Sequence, residues 1–430
     1  MRVLIVCESA SMRMSGETAL PVYYFRLMRA RGVRAMLITH ARTRPELRDT
    51  FDDEAFADIH FLEDTRAQRA LWAIGRRMPE RVRGLVVDQL IHLSTQMRAR
   101  RLAKRLVAEH GIDVVYEPAP ISPRGVSCMY DLGAPVVVGP LCGGLTFPPA
   151  FQFMDGPSSK FGVWGGRTLS PVMHRFFPGK LHAAAVLVGS ERTARALPRG
   201  VRGTVHEVVE SGVDLDVWKP ITPAERSPGE PVRFVYFARF VDWKGIEFLV
   251  EAFARTLKRT PAVLELIGDG ELYDATRSQV ERLRLEDHVH FHGRLGLHEA
   301  ERIVRSCDVY MAPSLRECGG CALLEAMALG LPIVAANWAG PAEFLSDGGG
   351  ALLVEPSSRE GFIEGLSNAM VRLAESPELR KSLGAAAAAR VRTRYFDWDS
   401  KVDRVLEILS EVVVRACAPA PPRSRPAPRR

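Results

Sequence analysis

SLRECGGCALLEAMALGLPIVAANWAGPAEFL, residues 314–345, holds a glycine-rich turn, an apolar helical run and a short β-rich run in succession. The run CDVYM (307–311) just before it reads as a buried strand, and PIVAA (332–336) as the next. Strand, Gly-Gly turn, helix and strand in that order make a βαβ unit, which lays two parallel strands in one sheet and covers them with the helix. Gly319 and Gly320 leave the backbone accessible at the turn, and the amides of Cys321 and Ala322 open the helix with partial positive charge. An anion is the natural ligand of such a turn.

The same alternation continues outward in both directions. Candidate strands follow at 232–238, 262–267, 288–292 and 351–354, and a second group stands earlier at 2–7, 33–39, 112–116, 135–139 and 184–189. A chain of 430 residues exceeds the roughly 250–300 at which one core stops growing. Two α/β domains are therefore expected, 1–218 and 232–394, joined by the Pro-, Gly- and charge-rich stretch 219–231. YFDWDSKVDRVLEILSEVVV (395–414) has apolar residues at helical spacing, and the tail 417–430 is basic, Pro-rich and without periodicity, so it is expected to be disordered.

Composition narrows the class. Hydrophobic residues make up 47% and charged residues 25%, the balance of a globular enzyme. Seven cysteines, odd in number and sparse, argue against a disulfide framework and for a reducing, cytoplasmic location. MRVLIVCES is too short an apolar run for a signal sequence, and no later run is long enough to span a bilayer. The net charge of +7 concentrates in residues 66–105, where 11 Lys and Arg face only Glu80 and Asp88. Trp72, Ile74 and Leu90 interleave with these cations, so the stretch is expected to make peripheral contact with an anionic membrane at its inner face, or to be a solvated helical face. No recognition motif accompanies the charge, and nucleic acid is not an expected partner.

The loops after the strands carry the chemistry, because ligands of open parallel sheets sit at the carboxyl ends of the strands. ARFVDWKG, after the first strand of the second domain, puts Arg239 and Lys244 at a helix start near Gly245, an arrangement suited to a diphosphate. Glu317 and Glu325 are separated by seven residues across the Gly-Gly turn, so that two carboxylates can accept from the hydroxyls of a sugar and a ribose. In the first domain, EPAPISPR (117–124) and GPLCGGLTFPPAF (139–151) are expected to face a second substrate, with Glu117, Gly143 and Gly144 as acceptor-side candidates and His40 and His60 as histidines chosen by position. Cys318 and Cys321 form a CxxC, but no second pair stands at metal-ligand spacing, so they are expected to be packing residues and no metal site is assigned. CESASMRMSGE after the first strand lacks the G-x-G-x-x-G of a dinucleotide fold.

These elements resemble the GT-B glycosyltransferases, and among them the retaining group called glycosyltransferase family 4. Arg239 with Lys244-Gly245, the Glu317 and Glu325 spacing, SGVDLDVWKP (211–220), GDGEL (268–272), FHGRL (291–295) and GPAEFL (340–345) stand in family order. The resemblance implies two Rossmann-like domains facing across a cleft, with the last helix (395–416) crossing back to the first domain. It implies a retaining transfer of a sugar from a UDP- or GDP-linked donor to a hydroxyl of an acceptor glycan or lipid-linked sugar, with no cofactor and no metal. Arg239, Lys244 and Glu317 would be catalytic. The donor would be held by Gly16, Asp269, Gly270, Arg294, Leu295, Gly319, Gly320, Cys321, Ala322 and Glu325. The chain departs from the family at Cys318, where the Gly-Phe-Gly of the family turn would begin, and at Ser15-Gly16, where paired glycines are usual. A sugar-nucleotide epimerase or hydrolase on the same fold, or a noncatalytic nucleotide-sugar-binding protein, is the alternative reading.

Overall fold

The computed structural model describes residues 1–78, 83–155, 170–221 and 229–418. Most of the expected connection at 219–231, and the tail from 419 onward, lie outside the described residues.

Among the described residues, thirteen strands form two sheets in which every pairing is parallel. The first contains β1 (Arg2–Val6), β2 (Arg34–His40), β3 (Ile59–Leu62), β4 (Val114–Glu117), β5 (Val136–Leu141), β6 (Ala185–Val188) and β7 (Thr204–Glu207) in the order β3-β2-β1-β4-β5-β6-β7. The second contains β8 (Val232–Phe237), β9 (Ala262–Ile267), β10 (Val289–Gly293), β11 (Val309–Ala312), β12 (Ile333–Ala336) and β13 (Ala351–Val354) in the order β10-β9-β8-β11-β12-β13. Two parallel α/β domains is the architecture expected from the alternation of runs. The strands not anticipated are β3 and β7, and both are sheet edges. Thr204–Glu207 is mostly exposed, so it carries neither the unbroken apolar run of a central strand nor a clear alternation.

In each sheet the strand order reverses once, between β1 and β4 and between β8 and β11. The loops leaving β8 and β11 therefore diverge to opposite faces of the sheet and leave a crevice between them. That topology alone brings residues 238–245 next to residues 313–320.

Helices cover both sheets. The ones that matter below are α1 (Gly16–Ala30), α2 (Arg66–Gly75), α3 (Asp88–His110), α4 (Ile246–Leu257), α5 (Cys321–Leu329), α6 (Ala339–Leu345), α7 (Arg359–Glu375) and α8 (Trp398–Cys417). Ser15 caps α1 in a capping box with Thr18, and Asp397 caps α8 by accepting from the Ser400 amide. In α8 the side chains of Trp398, Val402, Val405, Ile408, Leu409 and Val412 recur at helical spacing and are buried in the core of the first domain. Trp398 stacks on Tyr23 of α1, ring centroids 4.2 Å apart. Each such burial stabilises the fold by roughly 1.5–3 kcal/mol.

One segment departs from its expected place. Residues 139–151 were expected to face a substrate, yet Phe147 and Phe151 are buried in the core of the second domain. Phe151 meets Phe248 of α4 and Phe362 of α7 edge-on, at 5.3 and 5.9 Å. The segment is a strap from one domain anchored in the other, because two large aromatic side chains gain more by burial than a solvated loop would.

Candidate active site at the domain junction

The crevice between β8 and β11 is closed by glycine chemistry. Gly245 has φ +72°, and a Cβ there would stand 2.3 Å from the Pro313 carbonyl oxygen, so only glycine lets the two loops touch. The Leu315 amide donates to the Trp243 carbonyl at 2.8 Å and fixes their register. Gly320 has φ +93° and begins α5 without a side-chain cap, leaving the first-turn amides of Cys321 and Ala322 with no side-chain acceptor at the helix start. Gly319 lines the cavity at this turn. It is buried, and a Cβ would stand 2.7 Å from Ser211 Oγ and 2.8 Å from Glu210 Oε1, so any side chain there would collide with the protein.

Around this turn lies a cavity of about 80 Å³, lined among others by Tyr236, Lys244, Tyr310, Ser314, Glu317 and Pro341. The Lys244 ammonium is paired with the Glu317 carboxylate, both partly buried. Cation, carboxylate and helix start thus share one small volume. Arg239 does not line it: the side chain is exposed, with its guanidinium over the Trp243 ring at 5.7 Å. A larger groove of about 630 Å³ runs past Arg192, Glu343 and Arg394 on the other side of the junction and contains none of the expected site residues.

Glu325 lies one turn into α5, partly buried, and desolvation pushes its carboxyl group up to about 8. Because the folded value lies above the ordinary 4.5, the stability linked to this group is fully present below about pH 4.5 and is lost as pH rises through about 8. Glu325→Gln is accordingly expected to raise the melting temperature of the unliganded protein by a few degrees at about pH 8.5 and to change nothing near pH 4. Melting curves across that range would show an equal gain at all pH values if the reasoning were wrong.

The remaining candidates fall into three groups. Asp269 and Gly270 adjoin the Arg239 loop, with the Phe240 amide donating to the Asp269 carbonyl at 2.9 Å, and Arg294 and Leu295 follow β10 at the same end of the sheet. Gly16, at the start of α1, faces α5 across the junction, its Cβ position 3.5 Å from Cys321 Sγ. Glu117, by contrast, is buried 3% exposed inside the first domain, accepting from Ser127 beside Lys180; burial pushes its carboxyl up to about 7 and the Lys180 ammonium down to about 8. Gly143 and Gly144 pack against Pro123 and Arg192, so their lack of side chains is accounted for within the protein. His40 caps a turn and meets Asp64 at 3.1 Å, and His60 has a buried Nε2; neither lines the cavity.

Cys318 was expected to pack beside the sugar pocket, and here the structure corrects the reading. It is disulfide-bonded to Cys142, with Cα atoms 6.2 Å apart and 176 residues between them. Spacing could not have shown this, because tertiary structure alone brings the two together. The one signal was the repeated CGG at 142–144 and 318–320. Among the described residues the one cluster of metal-ligating side chains is Cys142, Glu210 and Cys318, and its two sulfurs are bonded to each other.

A Lys-Gly at a helix start after the first strand, two glutamates astride a Gly-Gly turn and a parallel sheet with its crevice at β8/β11 now stand together. Residues 219–390 match the family described as Glycosyl transferases group 1. The matched segment takes in the whole second sheet and the cavity residues Lys244, Glu317 and Cys321. The D-inositol 3-phosphate glycosyltransferase of Streptomyces griseus is 26% identical over 270 residues, which cover 52% of this chain and 56% of that protein. The chain spans about half the length of the curated relatives it matches, 48% and 56% for two of them. Sucrose-phosphate synthase from Thermosynechococcus elongatus superposes with a TM-score of 0.65 at 16% identity, covering 96% of this chain and 100% of that one. Anabaena HepE in complex with UDP gives 0.61 at 16% identity, covering 96% and 100%. The fold is therefore GT-B along the whole chain, and the match to the group 1 family is confined to residues 219–390.

Proposed function

We propose that the protein is a retaining glycosyltransferase of family 4 that moves a sugar from a UDP- or GDP-linked donor to an acceptor hydroxyl without a metal ion. The observation that carries this reading is the Lys244–Glu317 pair beside the uncapped start of α5. A diphosphate arriving at the helix amides would draw Lys244 from Glu317, which frees the carboxylate to accept from hydroxyls of the transferred sugar. As the bond to the anomeric carbon breaks, negative charge grows on the leaving phosphate, where Lys244, the amides and Arg239 from the rim would stabilise it. The acceptor hydroxyl would attack from the same face and pass its proton to the departing phosphate. Glu325 is suited to the ribose, and the loops at Asp269, Gly270, Arg294 and Leu295 to the nucleoside.

A panel of nucleotide sugars tested first by thermal shift and then for product with an acceptor series decides the matter. One UDP- or GDP-linked sugar is expected to raise stability by about 2.7 kcal/mol at a hundredfold excess over its dissociation constant, and to be consumed when acceptor is present. Donor consumed equally without acceptor would mark a hydrolase or epimerase. Absence of affinity for any nucleoside diphosphate would sink the reading altogether.

The acceptor is proposed to be a glycan or lipid-linked sugar met at an anionic, cytoplasmic membrane face. Trp72 and Ile74 of α2 and Leu90 of α3 are about half exposed, among the exposed Arg66, Arg69, Arg76 and Arg77. Among the described residues no helix is long and apolar enough to cross a membrane, so such contact would be peripheral. Each basic residue near an anionic surface contributes roughly 1 kcal/mol. Sedimentation with anionic liposomes at low salt is expected to carry the protein down, and Trp72→Ser with Ile74→Ser to reduce it; no sedimentation would remove the membrane from the proposal.

A further inference from the structure

The cavity of about 80 Å³ is lined by second-domain residues and stands beside the junction with the first domain. Several reversible ties hold that junction. Arg192 of the first domain forks onto Glu343 of α6 at 3.0 and 2.9 Å, Trp338 Nε1 donates to the Thr146 carbonyl at 2.8 Å, and Phe147 and Phe151 sit in the second core. One tie is covalent. Cys142, directly after β5, is bonded to Cys318, which stands between Glu317 and Gly319 in the turn itself.

We propose that Cys142 and Cys318 form a reversible redox latch that ties the first domain to the turn bearing Glu317, beside the Lys244–Glu317 cavity. Its effect on donor binding rests on the function proposed above; the latch itself does not. Cys142 is buried whereas Cys318 is partly exposed, so a thiolate reaches the Cys318 sulfur and Cys142 is the leaving thiol. Opening transfers two electrons from an external dithiol, which departs as its own disulfide and leaves two protein thiols. Closing passes two electrons and two protons from those thiols to an external disulfide, which leaves as two thiols. Cys321, three residues on, is the nearby thiol best placed to intercept the bond, but burial pushes it up to about 11 and keeps it protonated at neutral pH. With the bond open, the loop bearing Glu317 is held to the first domain only by hydrogen bonds, an ion pair and apolar contacts, all of which can part for a ligand.

The test uses the full chain equilibrated with reduced or oxidised dithiothreitol. Peptide mapping without reductant is expected to find the 142–318 link only in the oxidised sample. Stopped-flow association of UDP or GDP is expected to be at least tenfold slower for the oxidised protein. Cys142→Ser should abolish the difference and Cys417→Ser should retain it. Small-angle scattering, which needs no ligand, should give a larger radius of gyration on reduction and the same large value for Cys142→Ser in either buffer. If no nucleoside diphosphate binds while the scattering difference is present, the function proposed above fails and the latch stands. The latch is overturned if the link never forms, if it yields to dithiothreitol only when near-ultraviolet circular dichroism shows unfolding, if both forms scatter alike, or if the reduced protein retains stoichiometric zinc on Cys142, Glu210 and Cys318.

Discussion

Replacing Lys244 with alanine is expected to lower kcat/KM for the donor about a hundred- to a thousandfold, the range seen when one preorganised donor to a developing anion is removed. Two losses combine. The leaving phosphate loses the cation nearest the helix start, and Glu317 is left as a partly buried carboxylate without its partner. Lys244→Arg keeps the charge and should recover most of the rate, although a planar guanidinium cannot occupy the same small volume as an ammonium. Arg239→Ala is expected to cost less than tenfold, because its guanidinium rests on Trp243 at the rim rather than in the cavity. Steady-state kinetics at saturating acceptor separate these outcomes. If Lys244→Ala turned over at the wild-type rate, the assignment of this cavity to the leaving group would fail.

Gly340→Ala is expected to weaken nucleoside diphosphate binding at least a hundredfold. Gly340 lies in the first turn of α6, where its amide donates to the Glu317 carbonyl at 3.0 Å. A Cβ there would stand 1.3 Å from the Cys318 carbonyl oxygen and 2.9 Å from that of Glu317. Contacts between such atoms require more than 3 Å, so the turn would have to move by on the order of 2 Å, and Glu317 with it. Overpacking of this kind costs about 1–3 kcal/mol in stability as well. Gly348→Ala is the control. Nothing lies within 4 Å of its Cβ position, but φ is +81°, so it should lose some stability through backbone strain and none of the binding. Titration calorimetry with a nucleoside diphosphate, beside melting curves, would show equal losses at the two positions if the turn were not the binding element.

The parallel α/β architecture was readable because central strands are unbroken apolar runs, as in Ala185–Val188 and Ile333–Ala336. Edge strands such as Thr204–Glu207 were not, since exposure removes that pattern. At the site, Lys244, Glu317 and the start of α5 stood out because each belongs to a turn whose local geometry is written in consecutive residues. What needed three dimensions stayed hidden. The Cys142–Cys318 bond joins residues 176 apart, and the strap carrying Phe147 and Phe151 reads as an ordinary loop until the other domain is placed against it. Glu117 shows the converse: a carboxylate at a strand end, where ligands are sought, is turned inward to Ser127 and Lys180. GPAEFL (340–345) was legible as a pattern but not as a cause, which is the approach of Gly340 to the Glu317 turn.

The last helix has a bearing on synthesis. Trp398, Val402, Val405, Ile408, Leu409 and Val412 cover an apolar face of the first domain, yet they are made after the entire second sheet. While the ribosome translates the intervening residues, that face has no cover and is prone to adhere to other apolar surfaces. The half made first is thus the half finished last, and a transcript cut short before Trp398 would yield a protein with its second sheet complete and its first still open.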